Sequence, residues 1–334
     1  MKIAFFDTKP YDRTFFDRYS TRFNADIKYY ETKLNIDTVS LAHGCDAVCV
    51  FVNDDIDAFV IEHLARLGVR VIALRCAGFN NIDLEALHEE PQIRAVRVPN
   101  YSPHAIAEHA IALLLTLIRK THKAYIRTRD FNFSLVGLSG VDLHGKTMGV
   151  IGTGRIGQAF VDICVGFGMN VVCYDKAPSP NLNPRAHYVT LPELFGYSDF
   201  ISLHCPLTEE TYHIIDESTI INSKRGMILI NTSRGALVDT EALLDGIKSK
   251  QLGGACLDVY EEEAEYFFED FSNHIMSDDT LARLISMPNV IVSSHQAFLT
   301  DEALSKIAAT TLDNITNILV SGHSPNELPQ NFFG

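Results

Sequence analysis

Short runs of apolar residues alternate with longer amphipathic stretches along much of the chain. Before residue 100 the apolar runs are KIAFFD, ADIKYY, AVCVFV, VRVIAL and RAVRVP, and the stretch AFVIEHLARLG between two of them has the apolar spacing of a helix. Runs of this length predict buried β-strands, because strands of a parallel sheet are covered on both faces. The alternation of strands and helices therefore predicts a parallel α/β sheet.

A break near residue 100 separates this region from a second one of the same kind. The segment VPNYSPH at 98–104 contains two prolines and predicts a hinge, and one long helix is predicted after it over 105–130. The apolar run at 110–118 is half the length of a membrane span, so this helix is predicted to be buried in the protein. Strands at FISLHC, MILINTS, GGACLD and NVIVSS follow, with helices predicted at YHIIDESTIINSK and DTEALLDGIKSK. A last helix, over 300–319, is predicted to pack on the first region, which makes that domain discontinuous.

The stretch TMGVIGTGRIG places three glycines in GxGxxG spacing directly after an apolar run. Gly152 is expected in the tight turn, Gly154 where the backbone approaches a dinucleotide pyrophosphate, and Gly157 at the contact between helix and strand. Asp175 follows the next strand, NVVCY, 18 residues after Gly157. A carboxylate at that position accepts hydrogen bonds from the adenosine ribose and repels a 2′-phosphate. The pattern predicts a Rossmann domain that binds NAD rather than NADP.

Three of the later strands end in polar residues suited to hydride-transfer chemistry. Arg234 follows MILINTS, Glu263 lies just past GGACLDVY, and His295 closes NVIVSS. A histidine titrates near neutrality and can exchange a proton with a substrate oxygen, while an arginine pairs bidentately with a carboxylate. A glutamate on the other imidazole nitrogen would select the tautomer and favour the protonated ring. These residues predict a 2-keto acid substrate.

Length and charge limit the classes of partner. A chain of 334 residues with 46% hydrophobic residues is long enough for two domains, each with its own core. The formal net charge of −14 opposes binding to nucleic acids and to anionic membranes, because both require a basic surface. We therefore expect a small-molecule substrate, no nucleic acid and no membrane as partners.

The cysteines and histidines show no metal-binding pattern. Seven cysteines without a CxxC pair predict reduced thiols and a cytoplasmic protein, and four of them are expected in the core: Cys45, Cys49, Cys173 and Cys205. His104, Glu108 and His109 share a helix but lack the HExxH spacing, so they are interpreted as interface or core polar groups. The acidic and aromatic segment 261–279 is predicted to be a long ordered loop beside the active-site cleft.

Seven motifs in a fixed order cover nearly the whole chain: RCAGFNNIDL, VPNYSPHAIAEHA, VIGTGRIG, SLHCPLT, NTSRGALVD, LDVYEEE and SSHQAFLT. With these motifs the sequence resembles the D-isomer-specific 2-hydroxyacid dehydrogenases, and most of all the fermentative members that reduce pyruvate to D-lactate with NADH. The resemblance implies an α/β fold of two doubly wound parallel-sheet domains. A Rossmann NAD-binding domain, 101–298, would be inserted into a flavodoxin-like substrate domain, 1–100 with 299–334.

The resemblance also assigns roles to residues. It makes His295 the proton donor to the keto oxygen, Glu263 its partner and Arg234 the anchor of the carboxylate and carbonyl, and it brings the backbone N–H groups of Ala77 and Gly78 to the substrate carboxylate. Further cofactor contacts are implied at Arg155, Ile156, Cys205, Pro206, Thr211, Thr232, Ser233 and Asp258, where Thr211 replaces an asparagine that relatives often carry. The residues implied at the substrate side chain are Phe51, Tyr101 and Phe298.

Several alternatives stay open at this point. The three aromatic rings suit the methyl group of pyruvate, but 2-ketoisocaproate, hydroxypyruvate or glyoxylate are alternative substrates, since one methylene changes binding by only about 1–3 kcal/mol. A non-enzymatic NAD-sensing scaffold is an alternative of another class. A homodimer is the family expectation and a tetramer the alternative, and the long apolar helix from Ala105 suggests a subunit interface.

Overall fold

The computed structural model describes residues 1–263 and 266–328. The chain divides into two compact units. The first consists of Met1–Ser102 with Leu299–Gly334, of which 299–328 are described, and the second is Pro103–Phe298. Residues 264 and 265 of the predicted loop 261–279, and 329–334 of the predicted substrate domain, lie outside the described residues.

The first unit contains a five-stranded parallel sheet. Its strands are β1 (Lys2–Phe5), β2 (Asp26–Tyr29), β3 (Ala47–Val50), β4 (Val71–Leu74) and β5 (Arg94–Val96), and their order is β2-β1-β3-β4-β5. The helices between them are α1 (Pro10–Ser20), α2 (Ala58–Arg66) and α3 (Leu84–Glu89). Every residue of β3 and β4 is buried, as the continuous apolar runs predict. Helices α2 and α3 each begin after an aspartate, Asp57 or Asp83, whose side chain accepts a backbone N–H of the first turn.

The second unit contains a seven-stranded parallel sheet with helices on both faces. Its strands are β6 (Thr147–Ile151), β7 (Asn170–Tyr174), β8 (Ala186–Tyr188), β9 (Phe200–Leu203), β10 (Met227–Asn231), β11 (Leu252–Leu257) and β12 (Val290–Val292). Its helices are α4 (Pro103–Arg119), α5 (Thr121–Arg129), α6 (Arg155–Gly166), α7 (Leu191–Tyr197), α8 (Glu217–Ile221), α9 (Thr240–Lys248) and α10 (Asp279–Ser286). The strand order is β12-β11-β10-β9-β6-β7-β8. The order reverses between β6 and β9, and ligands of such sheets bind beyond the carboxyl ends of the strands at this point.

The last helix returns to the first unit. It is α11 (Asp301–Ser321), which packs on α1, β4 and β5. Thr300 caps its start by accepting the Ala303 N–H, and Gly322 ends it with a φ of 75°. The predicted fold class, two doubly wound parallel-sheet α/β domains, is confirmed.

Two local predictions are wrong. The helix predicted over 105–130 is broken at Lys120, which has a φ of 53°, so α4 and α5 are separate. The helix predicted at YHIIDESTIINSK is reduced to the five residues of α8. The apolar residues of α4 pack against α6 and the sheet within the same unit, and the subunit interface expected on the helix from Ala105 stays a prediction.

The core contains every cysteine of the chain. All seven are buried and form no disulfide: Cys45, Cys49, Cys76, Cys164, Cys173, Cys205 and Cys256. This confirms the core positions predicted for four of them, Cys45, Cys49, Cys173 and Cys205. Over the described ranges, no helix combines the length and the apolarity that crossing a membrane requires.

Candidate active site

The turn after β6 is so tight that two of its three glycines have no room for a side chain. Gly152 has a φ of 95°, and a Cβ built there would lie 2.6 Å from backbone atoms of His204 and Cys205. A Cβ at Gly157 would lie 2.0 Å from the Gly152 carbonyl oxygen, whereas a Cβ at Gly154 would have no atom within 4 Å. The chain therefore packs closely around two of the glycines and leaves open space beside the third, at the start of α6.

This open space has the properties of a dinucleotide site. Gly154 is the N-terminal cap of α6, and Arg155 and Ile156 begin its first turn. The N–H groups of a first helical turn have no partner within the helix, and they attract a phosphate. The buried Thr232 hydroxyl, after β10, also has no hydrogen-bond partner among the described residues. These features fit NAD.

Asp175, directly after β7, is held in place by the glycine turn. Its Oδ2 accepts the Thr153 N–H at 2.6 Å and the Thr153 hydroxyl at 2.8 Å, and its Oδ1 accepts the Ala177 N–H at 2.9 Å. Burial raises the pKa of the Asp175 carboxyl, but these hydrogen bonds outweigh burial and hold the pKa below the ordinary value. The carboxylate is therefore ionised at neutral pH. Tyr188 completes the group through a 2.8 Å contact between its hydroxyl and that of Thr153.

A side-chain hydrogen bond joins the loops after β9 and β10. The Ser233 hydroxyl donates to the Cys205 carbonyl at 2.7 Å, which links the two loops. The Thr211 hydroxyl donates to the Pro206 carbonyl at 2.7 Å and accepts the Thr208 N–H at 2.8 Å. Thr211 therefore closes its own loop, and its expected cofactor contact stays a prediction.

Arg234 follows the same strand, β10, by three residues. Its Nη1 donates to the Ser233 carbonyl at 2.8 Å, and its own carbonyl accepts the Asn231 side-chain amide at 2.8 Å. The next residue, Gly235, lies against the Tyr260 backbone, where a Cβ would approach to 2.1 Å. The partly buried Arg234 guanidinium therefore extends from a closely packed backbone segment at the carboxyl edge of the sheet.

Glu263 and His295 form a hydrogen-bonded pair. The distance between His295 Nδ1 and Glu263 Oε1 is 2.7 Å, and both side chains are 20% exposed. The other carboxylate oxygen, Oε2, accepts the Tyr260 N–H at 3.0 Å, which fixes the orientation of the carboxylate. An ionised glutamate is an acceptor only, so Nδ1 carries the proton and Nε2 faces away from the pair. Nε2 is then the atom that can exchange a proton with a ligand.

Asp258, directly after β11, is fully buried. Its carboxylate accepts hydrogen bonds from Ser293, Gln296 and Ala297, and His109 Nε2 lies 3.2 Å from it. Its expected cofactor contact stays a prediction.

The predicted substrate residues are divided between the units. Ala77, Gly78, Phe51 and Tyr101 belong to the first unit, whereas Phe298 is a buried residue of the second. In the turn after β4, the Ala77 carbonyl accepts Arg97 Nη1 at 2.8 Å and the Gly78 carbonyl accepts the Cys76 thiol at 3.2 Å. These bonds orient the peptide groups of the turn, and their approach to a substrate stays a prediction.

Within the second unit, the structure brings the predicted cofactor residues and the trio Arg234, Glu263 and His295 to the carboxyl edge of one parallel sheet. Sequence reasoning missed Thr153, Tyr188, Ser293 and the contact of His109 with Asp258. The position of Thr153 inside the GxGxxG motif was the available signal for the first. In the described part of the chain, no group of three or more His, Cys, Asp or Glu residues has a metal-binding arrangement.

Comparison with known proteins identifies the family. Residues 111–297 match the family described as "D-isomer specific 2-hydroxyacid dehydrogenase, NAD binding domain". The chain is 48% identical to the D-lactate dehydrogenase of Escherichia coli (strain K12) over 98% of its length and 100% of the relative's. The apo-structure of D-lactate dehydrogenase from Escherichia coli superposes with a TM-score of 0.90, at 46% identity, covering 98% of this chain and 100% of that one. The pyruvate reductase of Chlamydomonas reinhardtii superposes with a TM-score of 0.91, at 43% identity, covering 96% and 97%. The chain therefore belongs to the D-isomer-specific 2-hydroxyacid dehydrogenase family and is an NAD-dependent oxidoreductase.

Proposed function

We propose that this protein is a D-lactate dehydrogenase, which converts pyruvate, NADH and a proton into D-lactate and NAD⁺. The observation that carries the proposal is the hydrogen bond between Glu263 and His295, at the carboxyl edge of the NAD-binding sheet. Similarity to D-lactate dehydrogenases over nearly the whole chain supports the choice of substrate.

The proposed reaction needs one proton and one hydride. NADH, held by Gly152, Gly154, Gly157 and Asp175, would supply the hydride for C2 of the keto acid. His295 gives the proton on Nε2 to the keto oxygen as negative charge develops there, and Glu263 stabilises the imidazolium before the transfer. In the reverse direction the neutral ring accepts the hydroxyl proton of D-lactate. Arg234 holds the substrate carboxylate with its planar guanidinium, which limits the orientations of C2.

We further propose a division of roles between the units. Pro103–Phe298 would hold the cofactor through Gly152, Gly154, Gly157 and Asp175, and the first unit would bind the substrate carboxylate with the N–H groups of Ala77 and Gly78. Phe51, Tyr101 and Phe298 would border the substrate methyl group.

The test of the function is a steady-state comparison of 2-keto acids. Purified protein is assayed with NADH and pyruvate, 2-ketobutyrate, 2-ketoisocaproate, hydroxypyruvate or glyoxylate, and the product is analysed by chiral chromatography. We expect the highest kcat/KM with pyruvate and a D-product. A higher kcat/KM with 2-ketoisocaproate would favour a relationship to D-2-hydroxyisocaproate dehydrogenase, whose structure superposes with a TM-score of 0.87 at 33% identity over 98% of this chain and 99% of that one. NADH binding without turnover would favour a sensing scaffold.

We also propose that the protein forms a homodimer through α5 and the segment after it. Six large apolar residues are at least 59% exposed within twelve positions: Tyr125, Ile126, Phe131, Phe133, Leu135 and Val136. The side chains of Lys120 and Arg127 donate to the carbonyls of Gly137 and Val136, which holds this surface in a defined shape. An exposed apolar surface of this size marks a protein–protein interface, and a two-fold symmetric dimer would bury the same residues of both copies.

Light scattering coupled to size exclusion tests the dimer. Wild type is expected at about twice 37.2 kDa, and the double variant Phe131→Asp, Leu135→Asp at the monomer mass. The matched control is Ile275→Asp, because Ile275 is 96% exposed outside this surface. A double variant with the mass of the wild type would contradict the proposed interface. For the compartment we propose the cytoplasm, supported by seven buried cysteines that form no disulfide.

A further inference from the structure

The loop that carries His295 is organised by a single buried residue, Asp258. The His295 N–H donates to the Asp258 carbonyl at 2.7 Å. The next two N–H groups, of Gln296 and Ala297, donate to its carboxylate, each at 2.9 Å. Three consecutive backbone groups therefore converge on one residue, and Asp258 determines where the His295 backbone lies.

The conformation of His295 requires this support. Its φ is 52°, in the left-handed region that side-chain-bearing residues seldom adopt. Such a conformation is retained only where surrounding bonds outweigh its cost. A weaker connection between Asp258 and the loop would therefore allow the loop to relax, and the His295 ring would lose its alignment with Glu263.

His109, on the neighbouring helix α4, is bonded to this arrangement from the side. Its Nε2 lies 3.1 Å from the Ser293 hydroxyl and 3.2 Å from Asp258 Oδ1. The Ser293 hydroxyl donates its single proton to Asp258 Oδ1 at 2.6 Å, so it can only accept from His109. The Nε2 atom must therefore carry a proton, and His109 is a donor to both partners.

These donors keep the buried carboxylate charged. Burial of Asp258 raises its pKa, but hydrogen bonds from His109, Ser293 and Ala297 outweigh burial, so the pKa lies below the ordinary value. A buried carboxylate that loses a donor becomes costly to keep ionised. His109 thus stabilises the charge of the Asp258 carboxylate, which accepts hydrogen bonds from the His295 loop.

We propose that His109 is a positioning residue for the proton donor His295 and that it acts through Ser293 and Asp258. The inference rests on the proposed function, because it takes His295 as the acid of the reaction. His109 links helix α4 to the loop after β12, so the conformation of the active loop is tied to the helix that begins the cofactor unit.

Two substitutions of His109 separate the hydrogen bond from packing. His109→Leu removes the donor, whereas the side-chain amide of His109→Gln offers an N–H close to the position of Nε2. The matched control is His104→Leu, since His104 is exposed on the same helix. We expect kcat for pyruvate reduction to fall about 10- to 100-fold in His109→Leu, the range for a lost hydrogen bond to a charged group. Most of this loss should be recovered in His109→Gln and absent in His104→Leu.

Further measurements distinguish positioning from a general loss of structure. The Kd for NADH, measured without substrate, should change less than about threefold, because the phosphates and ribose bind elsewhere in the unit. The solvent isotope effect on kcat should rise in His109→Leu, since proton transfer becomes slower relative to product release. Carbethoxylation of His295 by diethyl pyrocarbonate, located by peptide mapping, should accelerate in His109→Leu and match wild type in His109→Gln.

The outcomes against the inference are specific. A wild-type kcat in His109→Leu would overturn it, as would a His109→Gln variant that folds normally and is equally slow. Equal losses of kcat, NADH binding and melting temperature, without a change in isotope effect, would mean a purely structural role. A wild-type protein that reduces no keto acid would refute the proposed function instead, and the carbethoxylation rates would still decide whether His109 holds His295.

Discussion

The glycine turn allows stability and cofactor binding to be perturbed separately. Gly157→Ala and Gly154→Ala each add one methyl group, to environments that differ strongly. At Gly157 the methyl carbon would lie 2.0 Å from the Gly152 carbonyl oxygen, about half an ordinary van der Waals distance. The Gly152 carbonyl is part of the backbone, and the backbone also fixes the position of a Cβ at residue 157, so neither group can rotate away. At Gly154 no atom lies within 4 Å, and the φ of −64° and ψ of −169° are accessible to alanine.

These geometries predict opposite results. Overpacking of a close contact costs about 1–3 kcal/mol, and we expect the upper end for Gly157→Ala. In a unit of this size each kcal/mol lowers the melting temperature by about 2–4 °C, so the loss should be about 6–12 °C. Gly154→Ala should lose only about 1 kcal/mol from the poorer helix cap. Its methyl group would stand where the pyrophosphate approaches the backbone, so NADH affinity should fall about 10-fold or more.

The assay is thermal unfolding of both variants without ligand, followed by fluorescence titration with NADH. We expect Gly157→Ala to be the less stable variant, and Gly154→Ala to be the more stable variant that binds NADH poorly. Wild-type NADH affinity in Gly154→Ala would refute the assignment of the open space to the pyrophosphate. A wild-type melting temperature in Gly157→Ala would refute the packing argument itself.

Three further predictions concern the charged residues of the site. His295→Ala should lower turnover about 10²- to 10⁴-fold with NADH binding retained. In wild type, the pH dependence of pyruvate reduction and that of D-lactate oxidation should run in opposite directions. One pH profile shared by both directions in steady-state assays would mean that His295 is not the acid. Arg234→Lys keeps the charge but loses the planar fork, so kcat/KM for pyruvate should fall about 10-fold or more, and an unchanged value would place the carboxylate elsewhere. The folded-state pKa of Asp175 lies below its ordinary value, so its ionised form contributes stability at neutral pH that is lost as the pH falls below about 4. The difference in melting temperature between wild type and Asp175→Asn should therefore shrink on acidification, and a constant difference would contradict the bonds to Thr153.

The sequence was most informative where chemistry depends on short spacing or on strand ends. The glycines of the turn after β6 are spaced for one backbone geometry, and the structure gives Gly152 the positive φ that geometry needs. Because the carboxyl ends of parallel strands lie at one edge of a sheet, Glu263 and His295 are predicted at the same edge, although 32 residues separate them. Their direct hydrogen bond follows from loop conformations, and no residue spacing specifies those.

Contacts between distant elements could not be predicted in this way. The helix breaks at Lys120 without a glycine or proline at that position. The Lys120 amine donates to the Gly137 carbonyl. Gly140 lies so close to Ile118 that a Cβ at Gly140 would be 2.4 Å from the Ile118 carbonyl oxygen. Apolar periodicity continues through this point, whereas the residues that contact the break lie about 20 positions further along the chain. His109 is a similar case: its spacing along one helix predicts an interface or core polar group, but its partners Ser293 and Asp258 come from the loops after β12 and β11.

The return of α11 to the first sheet has a consequence for biosynthesis. The first 102 residues emerge from the ribosome early, but the helix that packs on α1, β4 and β5 is made about 200 residues later. At about 5–20 residues per second this is a delay of about 10–40 s. The apolar surface that α11 covers stays exposed during that time, while the inserted unit is complete before the first one can close. We therefore expect the cofactor unit to fold first on the ribosome, and the nascent amino-terminal segment to be the part of the chain that most needs chaperone protection.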